Sequence, residues 1–206
     1  MPLNEPLKYV REACRAPTTP GQARGHKPDG LYFISFAVPG HDPGCAWVDV
    51  FTRRDYKDIM VESLCFCQKE KGLLLFAWVI MSNHVHLIAR AAEGARLQDI
   101  IRDLKKYTSK QIIKAIEEHP GESRREWMLL FFSEAGESNS NNKDFQFWQQ
   151  HNKPIALTTN EMIARYLNYL HENPVKEGYV EFAEDDVYCS APAIAGKPGL
   201  LKLEVL

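Results

Sequence analysis

Residues 73–90 read LLLFAWVIMSNHVHLIAR, and the fold turns on how this stretch is read. Its first nine residues form an unbroken apolar run, which suits a central strand. Ser82-Asn83 is a short polar break, and HVHLIAR (84–90) resumes as a second strand. The stretch therefore predicts a β-hairpin. On a strand, residues two apart share a face. His84 and His86 then project together, while Val85 points the other way into apolar packing.

Working outward, LYFISFAV (31–38) is aromatic and β-branched and predicts a buried strand, ended by Pro39-Gly40. A short strand-like stretch, Trp47 to Phe51, follows. Ile59, Met60, Ser63, Leu64 and Cys67 recur at helical spacing over 54–70, and Gly72 stops that helix. Beyond the hairpin, Leu97, Ile100, Ile101, Leu104, Ile112, Ala115 and Ile116 predict a second amphipathic helix over 96–118. The segment 119–144 holds Pro120, Gly121, Gly136 and a run of Ser and Asn, and reads as a loop around a short strand at Met128–Phe132. Residues 145–157 supply a last strand. A third helix starts at Thr158, with Glu161 completing a capping box, and Pro174 ends it. The order is βαββαβ followed by a helix. The expected class is α+β: a ferredoxin-like antiparallel sheet with helices on one face, plus an extra C-terminal helix. Residues 1–29, rich in proline, read as a flexible leader, 30–190 as the domain and 191–206 as a C-terminal extension.

Composition narrows the classes. The chain has 206 residues, 45% hydrophobic and 25% charged, which excludes wholesale disorder, collagen and coiled coil. It has no apolar run of about 18 residues, so no membrane span is expected. The first residues lack the apolar core of a signal peptide. The five cysteines are odd in number and include no C-x-x-C pair, which argues against a disulfide framework or a cysteine zinc site and suits a cytoplasmic location. The net charge is −2, so any nucleic-acid contact must rest on local charge.

Three constellations could carry chemistry. The first is His84 and His86, paired as a divalent cation requires. Alone, H-x-H is also what two hydrogen-bonded histidines on a half-buried face look like. A histidine-triad hydrolase would want a third histidine at 88, where Ile88 stands. The second is the helix TTNEMIARYLNYLHEN (158–173), on which Tyr169 and Asn173 are one turn apart. A phenol beside an amide oxygen near two imidazoles could join a nucleophile to a metal's ligand set. The competing reading has Tyr169 packing and Asn173 capping. The third is Arg102, Lys105, Lys106, Lys110 and Lys114, with Asp103 as the one acid among them. Four of these recur every four residues along one ridge, which suits phosphates as well as a plain solvated face.

VIMSNHVHLI (79–88), DLKKYTSKQI (103–112), FWQQHNKPI (147–155) and YLNYLHENPVKEGYV (166–180) together resemble the REP-associated tyrosine transposases. These belong to the single-tyrosine HUH transposases of bacterial insertion sequences. The resemblance covers roughly residues 30–190. It implies that His84 and His86 are the HUH histidines, that Tyr169 is the nucleophile, and that Asn173 is the helix-borne ligand, a position where relatives often carry glutamine. Ser82 stands where many relatives have proline, a turn position with little chemical consequence. The implied cofactor is Mg²⁺ or Mn²⁺. The implied activity is nicking and rejoining of single-stranded DNA through a 5′-phosphotyrosine. The implied partner is single-stranded DNA with a foldback hairpin, bound with the help of the lysine ridge, and a homodimer is compatible with it. Two other readings compete. One is a domesticated DNA binder without cleavage, and the other a metal-dependent small-molecule phosphoester hydrolase, which needs an acid beside the histidines. Tyr107 is the rival nucleophile, set below Tyr169 because it falls at the edge of an apolar stripe.

Overall fold

The structure is a computed structural model that describes residues 30–40, 48–137, 144–150 and 154–206. The leader at 1–29, Trp47, and the Ser/Asn run lie outside the described residues.

The hairpin forms as its pattern requires. Strand β2 (Leu73–Ile80) pairs antiparallel with β3 (His84–Ala91), which pairs antiparallel with β1 (Tyr32–Ala37). A two-residue strand, β4 (Ile155–Ala156), adds to the other edge of β1, giving the order β2-β3-β1-β4. The turn is held from outside: Phe51 N–H donates to the Ser82 carbonyl at 2.7 Å, and Val38 N–H to the Asn83 carbonyl at 2.8 Å. This fixes the register, and a slip of one residue would turn both histidines to the opposite face.

Each face of the sheet carries its own core. Ile34, Phe36, Trp78, Val85 and Leu87 pack with helices α1 (Arg54–Glu70) and α2 (Leu97–Glu118). The stripes are those of amphipathic helices: Tyr56, Met60, Leu64 and Cys67 on α1, and Leu97, Ile100, Ile101, Leu104, Ile112 and Ile116 on α2. On the other face Phe33, Ala77, Val79 and Ile88 pack with helix α4 (Asn160–Lys176) through Tyr166, Tyr169 and Leu170. The α+β class and the extra helix are therefore as expected, with α4 packed on the histidine face.

Several local expectations are overturned. The stretch at Val50–Thr52 is a 3-10 turn rather than a strand. The strand expected at Met128–Phe132 lies within helix α3 (Arg125–Glu137), whose Met128, Phe132 and Gly136 recur every four residues and are buried. Met128 and Phe132 sit in the main core, so helix α3 is integral to the domain. Gly136 meets the Phe145 backbone so closely that an added Cβ would lie 2.7 Å from Phe145 Cα. The strand expected over 145–157 shrinks to Ile155–Ala156, although Gln149 N–H still bonds the Ala37 carbonyl at 2.8 Å. The cap of α4 is Thr159, one residue later than expected, whose hydroxyl accepts from Met162 N–H at 3.3 Å. Pro174 does not end α4. It sits in the last turn, where a proline removes one backbone donor, and the chain leaves through Gly178 at φ +73°.

The tail packs back onto the domain. Cys189 bridges Val79, and Ser190 N–H donates to the Trp78 carbonyl at 2.8 Å. A short helix, α5 (Ala191–Ile194), follows, and Glu204 N–H reaches the Leu75 carbonyl. Among the described residues no helix is long and apolar enough to cross a membrane.

Candidate active site

The alternation along β3 sends Val85 and Leu87 into the α1–α2 core and turns His84, His86 and Ile88 to the face under α4. The two imidazoles lie 4.7 Å apart by ring centroid. Their neighbours across β1 are Ala37 opposite His84 and Ser35 opposite His86. These are small and add little bulk beside the histidines. Phe33, one pair further along the same face, lies 5.1 Å from His86.

Helix α4 brings the third and fourth groups. The Tyr169 ring lies 5.4 Å from His86 and 5.9 Å from Phe33. Asn173 follows one turn later, and its Nδ2 donates to the Tyr169 carbonyl at 2.6 Å. A carbonyl only accepts, so this bond fixes which end of the amide is nitrogen and directs Oδ1 away from the helix backbone. His84, His86, Tyr169 and Asn173 are exposed by 5%, 3%, 8% and 3%. The four residues singled out from the sequence thus belong to one buried face.

His84 has an ordered partner behind it. Its Nδ1 lies 2.7 Å from Asn83 Oδ1, while Asn83 Nδ2 donates to Asp49 Oδ1 at 3.2 Å. The same carboxylate oxygen accepts from the Ser82 hydroxyl at 2.6 Å. Ser82, expected to have little chemical consequence, therefore helps hold the turn's acid. Arg124 Nη1 donates to the Asp49 carbonyl at 2.8 Å, tying the lead-in of α3 to this corner. Sequence reasoning passed over Asp49 and Asn83, because Asp49 is remote in the chain and Asn83 looked like ordinary turn chemistry. Adjacency of Asn83 to His84 was the available signal.

A divalent ion is compatible with this donor set. Two imidazoles and one amide oxygen are borderline-to-hard ligands that suit Mn²⁺ or Mg²⁺ with positions left for phosphate. Among the described residues no cluster of three or more His, Cys, Asp or Glu could hold a metal, so any site here depends on the amide.

The basic ridge lies elsewhere. Helix α2 packs on the sheet face opposite the histidines, so the sheet separates the ridge from Tyr169. Arg102 is engaged by Asp99 at 2.7 Å and Asp103 at 2.9 Å, and Lys114 by Glu118 at 3.8 Å. Lys105 donates to the Gln149 carbonyl at 2.7 Å, and burial pushes its ammonium down to about 8. Lys106 and Lys110 are exposed. Tyr107, 56% exposed on α2, is likewise on the far side of the sheet from the histidines. On α4, Tyr166 is fully buried, its ring tilted against Phe33 with centroids 4.7 Å apart.

Comparison with known proteins gives the family and the fold. Residues 48–151, half of the chain, match the family described as "Transposase IS200 like". That span includes the histidines and stops before α4. Among solved structures, a REP-associated tyrosine transposase bound to a REP hairpin aligns with a TM-score of 0.58 at 15% identity, over 91% of this chain and 93% of that one. A transposase candidate from Deinococcus radiodurans aligns at 17% identity and TM-score 0.41, over 74% of this chain and 97% of that one. No curated protein matches. The chain is thus a transposase, one of the enzymes that cut and transfer DNA strands. It belongs to the IS200-like transposase family, and its fold is that of the REP-associated structure.

Proposed function

We propose that this protein is a REP-associated type of tyrosine transposase that nicks and rejoins single-stranded DNA through Tyr169, with His84, His86 and Asn173 holding a Mg²⁺ or Mn²⁺ ion. The observation that carries the reading is the Tyr169 ring 5.4 Å from His86. Two chain-distant motifs meet there, on the sheet face that α4 covers.

In this reading the ion supplies charge stabilisation for the phosphate and the leaving oxygen. The residues do the rest. The imidazoles of His84 and His86 and the Asn173 amide oxygen set the position of the phosphate relative to α4. An ordinary phenol has a pKa of about 10, so Tyr169 must give up its proton as it attacks. Its Oη forms the bond to phosphorus, and the bond to the 3′ oxygen breaks. That oxygen departs with the electron pair, takes a proton and becomes a free 3′-hydroxyl. The 5′-phosphotyrosine keeps the phosphoester, so a 3′-hydroxyl can reverse the step and rejoin strands without an energy source. All four side chains are less than a tenth exposed, so substrate access requires α4 to draw back from β3. The substrate is single-stranded DNA with a foldback hairpin, by analogy with the relative seen bound to one.

The test is incubation of the full chain with end-labelled single-stranded oligonucleotides and Mn²⁺. The expected result is a covalent adduct on a denaturing gel that maps to Tyr169. Tyr169→Phe should lose adduct and 3′-hydroxyl product together while retaining DNA binding. Tyr107→Phe and Tyr166→Phe should keep substantial cleavage. A nucleotide found on Tyr107 or Tyr166 would refute the assignment. Turnover of small phosphoesters without adduct would favour a hydrolase instead.

A further inference from the structure

Ser82, Asn83 and Asp49 form a polar cluster behind His84 that the proposed chemistry does not use. Asn83 is itself buried, 6% exposed. A buried amide is retained where its bonds are made, and here both ends are specified. Asp49 Oδ1 can only accept when ionised, so the group facing it at 3.2 Å is Asn83 NH₂. Asn83 Oδ1 must then face His84 Nδ1 at 2.7 Å. An amide oxygen also only accepts, so the proton of that bond sits on His84 Nδ1. In a neutral imidazole this puts the lone pair on Nε2.

We propose that Asp49, acting through Asn83, locks His84 in the Nδ1-protonated tautomer and so aims Nε2 as a ligand toward the α4 face. Asp49 and Asn83 are positioning residues, and the proposal rests on the metal reading above. The acid is what makes the lock directional. Without Asp49 the Asn83 amide can turn over and present NH₂ to Nδ1, which reverses the tautomer. The acid is itself anchored: Ser82 donates to its carboxylate at 2.6 Å and Arg124 to its carbonyl at 2.8 Å. Because Arg124 precedes α3, the 119–137 segment supports the histidine turn through this route. Outer partners of this kind usually fix ring orientation, and losing them costs about 10- to 100-fold in metal affinity.

The experiment uses the full chain with ¹⁵N-labelled histidine. Long-range ¹H–¹⁵N spectra identify each ring's tautomer, and His84→Gln identifies the His84 signal by its loss. Mn²⁺ affinity is read in parallel from the electron paramagnetic resonance of the free ion. Wild type should show Nδ1-H at His84. Asn83→Ala and Asp49→Ala should each move it toward Nε2-H, the form imidazole favours in water, and weaken Mn²⁺ binding by about 10-fold or more. Should Asp49→Ala fail to fold, Asn83→Ala carries the test alone. An Nε2-H ring in wild type, an unmoved tautomer in the variants, or a moved tautomer with unchanged Mn²⁺ affinity overturns the relay and leaves the proposed function standing. Absence of Mn²⁺ binding by wild type overturns the metal reading itself, and the relay's purpose with it.

Discussion

Tyr169 and Tyr166 lie three residues apart on α4 and are both buried, yet their rings do different work. Tyr166 packs at a tilt against Phe33, centroids 4.7 Å apart, and fills the core, whereas the Tyr169 ring meets His86 at 5.4 Å. Three residues are about 300° of helix, so the two rings share a face about 60° apart, and that offset buries Tyr166 fully against Phe33 while Tyr169 comes beside His86. The histidines divide in the same way. His84 has the Asn83 amide behind it, and His86 lies between Tyr169 and Phe33. Removing either imbalances the proposed ligand set without opening the α1–α2 core, because both face away from it. His84→Ala and His86→Ala should each reduce nicking of single-stranded oligonucleotides by at least 100-fold. Their urea midpoints should stay close to wild type, measured by circular dichroism on the same preparations. Undiminished nicking by both variants would remove the histidines from the chemistry.

Helix α3 marks the limit of what periodicity could say. Trp127 to Phe132 is a continuous apolar run, which reads equally as a short strand. Burial resolves it: Met128 and Phe132 are buried while Trp127 and Leu130 are exposed, a helical pattern visible only once a neighbouring surface exists. The α1, α2 and β2–β3 elements were legible because their patterns extend over many residues. Pro174 and Thr158 misled by one or a few positions, where cap geometry decides the boundary. The lead-in to α3 also hides a charge network that no local pattern announces. Glu122, with a fully buried side chain, accepts from Arg124 at 2.9 Å, from Arg53 at 2.8 Å and from Tyr56 at 3.0 Å. The Arg124 side-chain hydrogen bond, then the Arg124 backbone N–H and the bonds of Arg53 and Tyr56, hold the carboxyl at about 2 against the opposing effect of burial. A carboxyl lowered in the folded state stabilises it fully above the ordinary carboxylate range and loses that contribution as pH falls toward the folded value. Stability should therefore decline between about pH 4.5 and 2 as Glu122 becomes protonated in the unfolded chain. Glu122→Gln should cost roughly 1.5–3 kcal/mol at pH 7, as for hydrogen bonds to a charged group. Its deficit relative to wild type should shrink steadily toward pH 2 in thermal melts. A deficit independent of pH would show that the charge is not what the arginines hold.

At the scale of the whole molecule the sheet separates two candidate regions that the sequence could only set side by side. That the H-x-H pair and the tyrosine helix each present one face was legible, because strand alternation and helical spacing fix a face. The basic ridge was legible as a ridge, but which side of the sheet it occupies depends on how α2 packs, which spacing alone does not tell. It lies on the α1–α2 side, away from the histidines. Pairing with Asp99, Asp103 and Glu118 takes up Arg102 and Lys114, and Lys105 is spent on Gln149. Lys106 and Lys110 are the exposed members not seen paired with an acid among the described residues. Any DNA they touch must pass around the edge of the sheet to reach Tyr169, so they can contribute affinity but not the alignment of the scissile phosphate. Changing both to Gln should weaken single-strand binding for every sequence tested. The slope of log K against log salt should fall by about 1.4 if each lysine neutralises one phosphate, at about 0.7 per single-strand contact. Nicking at saturating DNA should stay near wild type. Combined with Tyr169→Phe, the binding loss should add without coupling, as expected for sites that share no partner. An unchanged salt slope would make the ridge an ordinary solvated face. A fall in the nicking rate at saturation would mean that the DNA path couples the two sides of the sheet, and fluorescence anisotropy with single-turnover nicking distinguishes these outcomes.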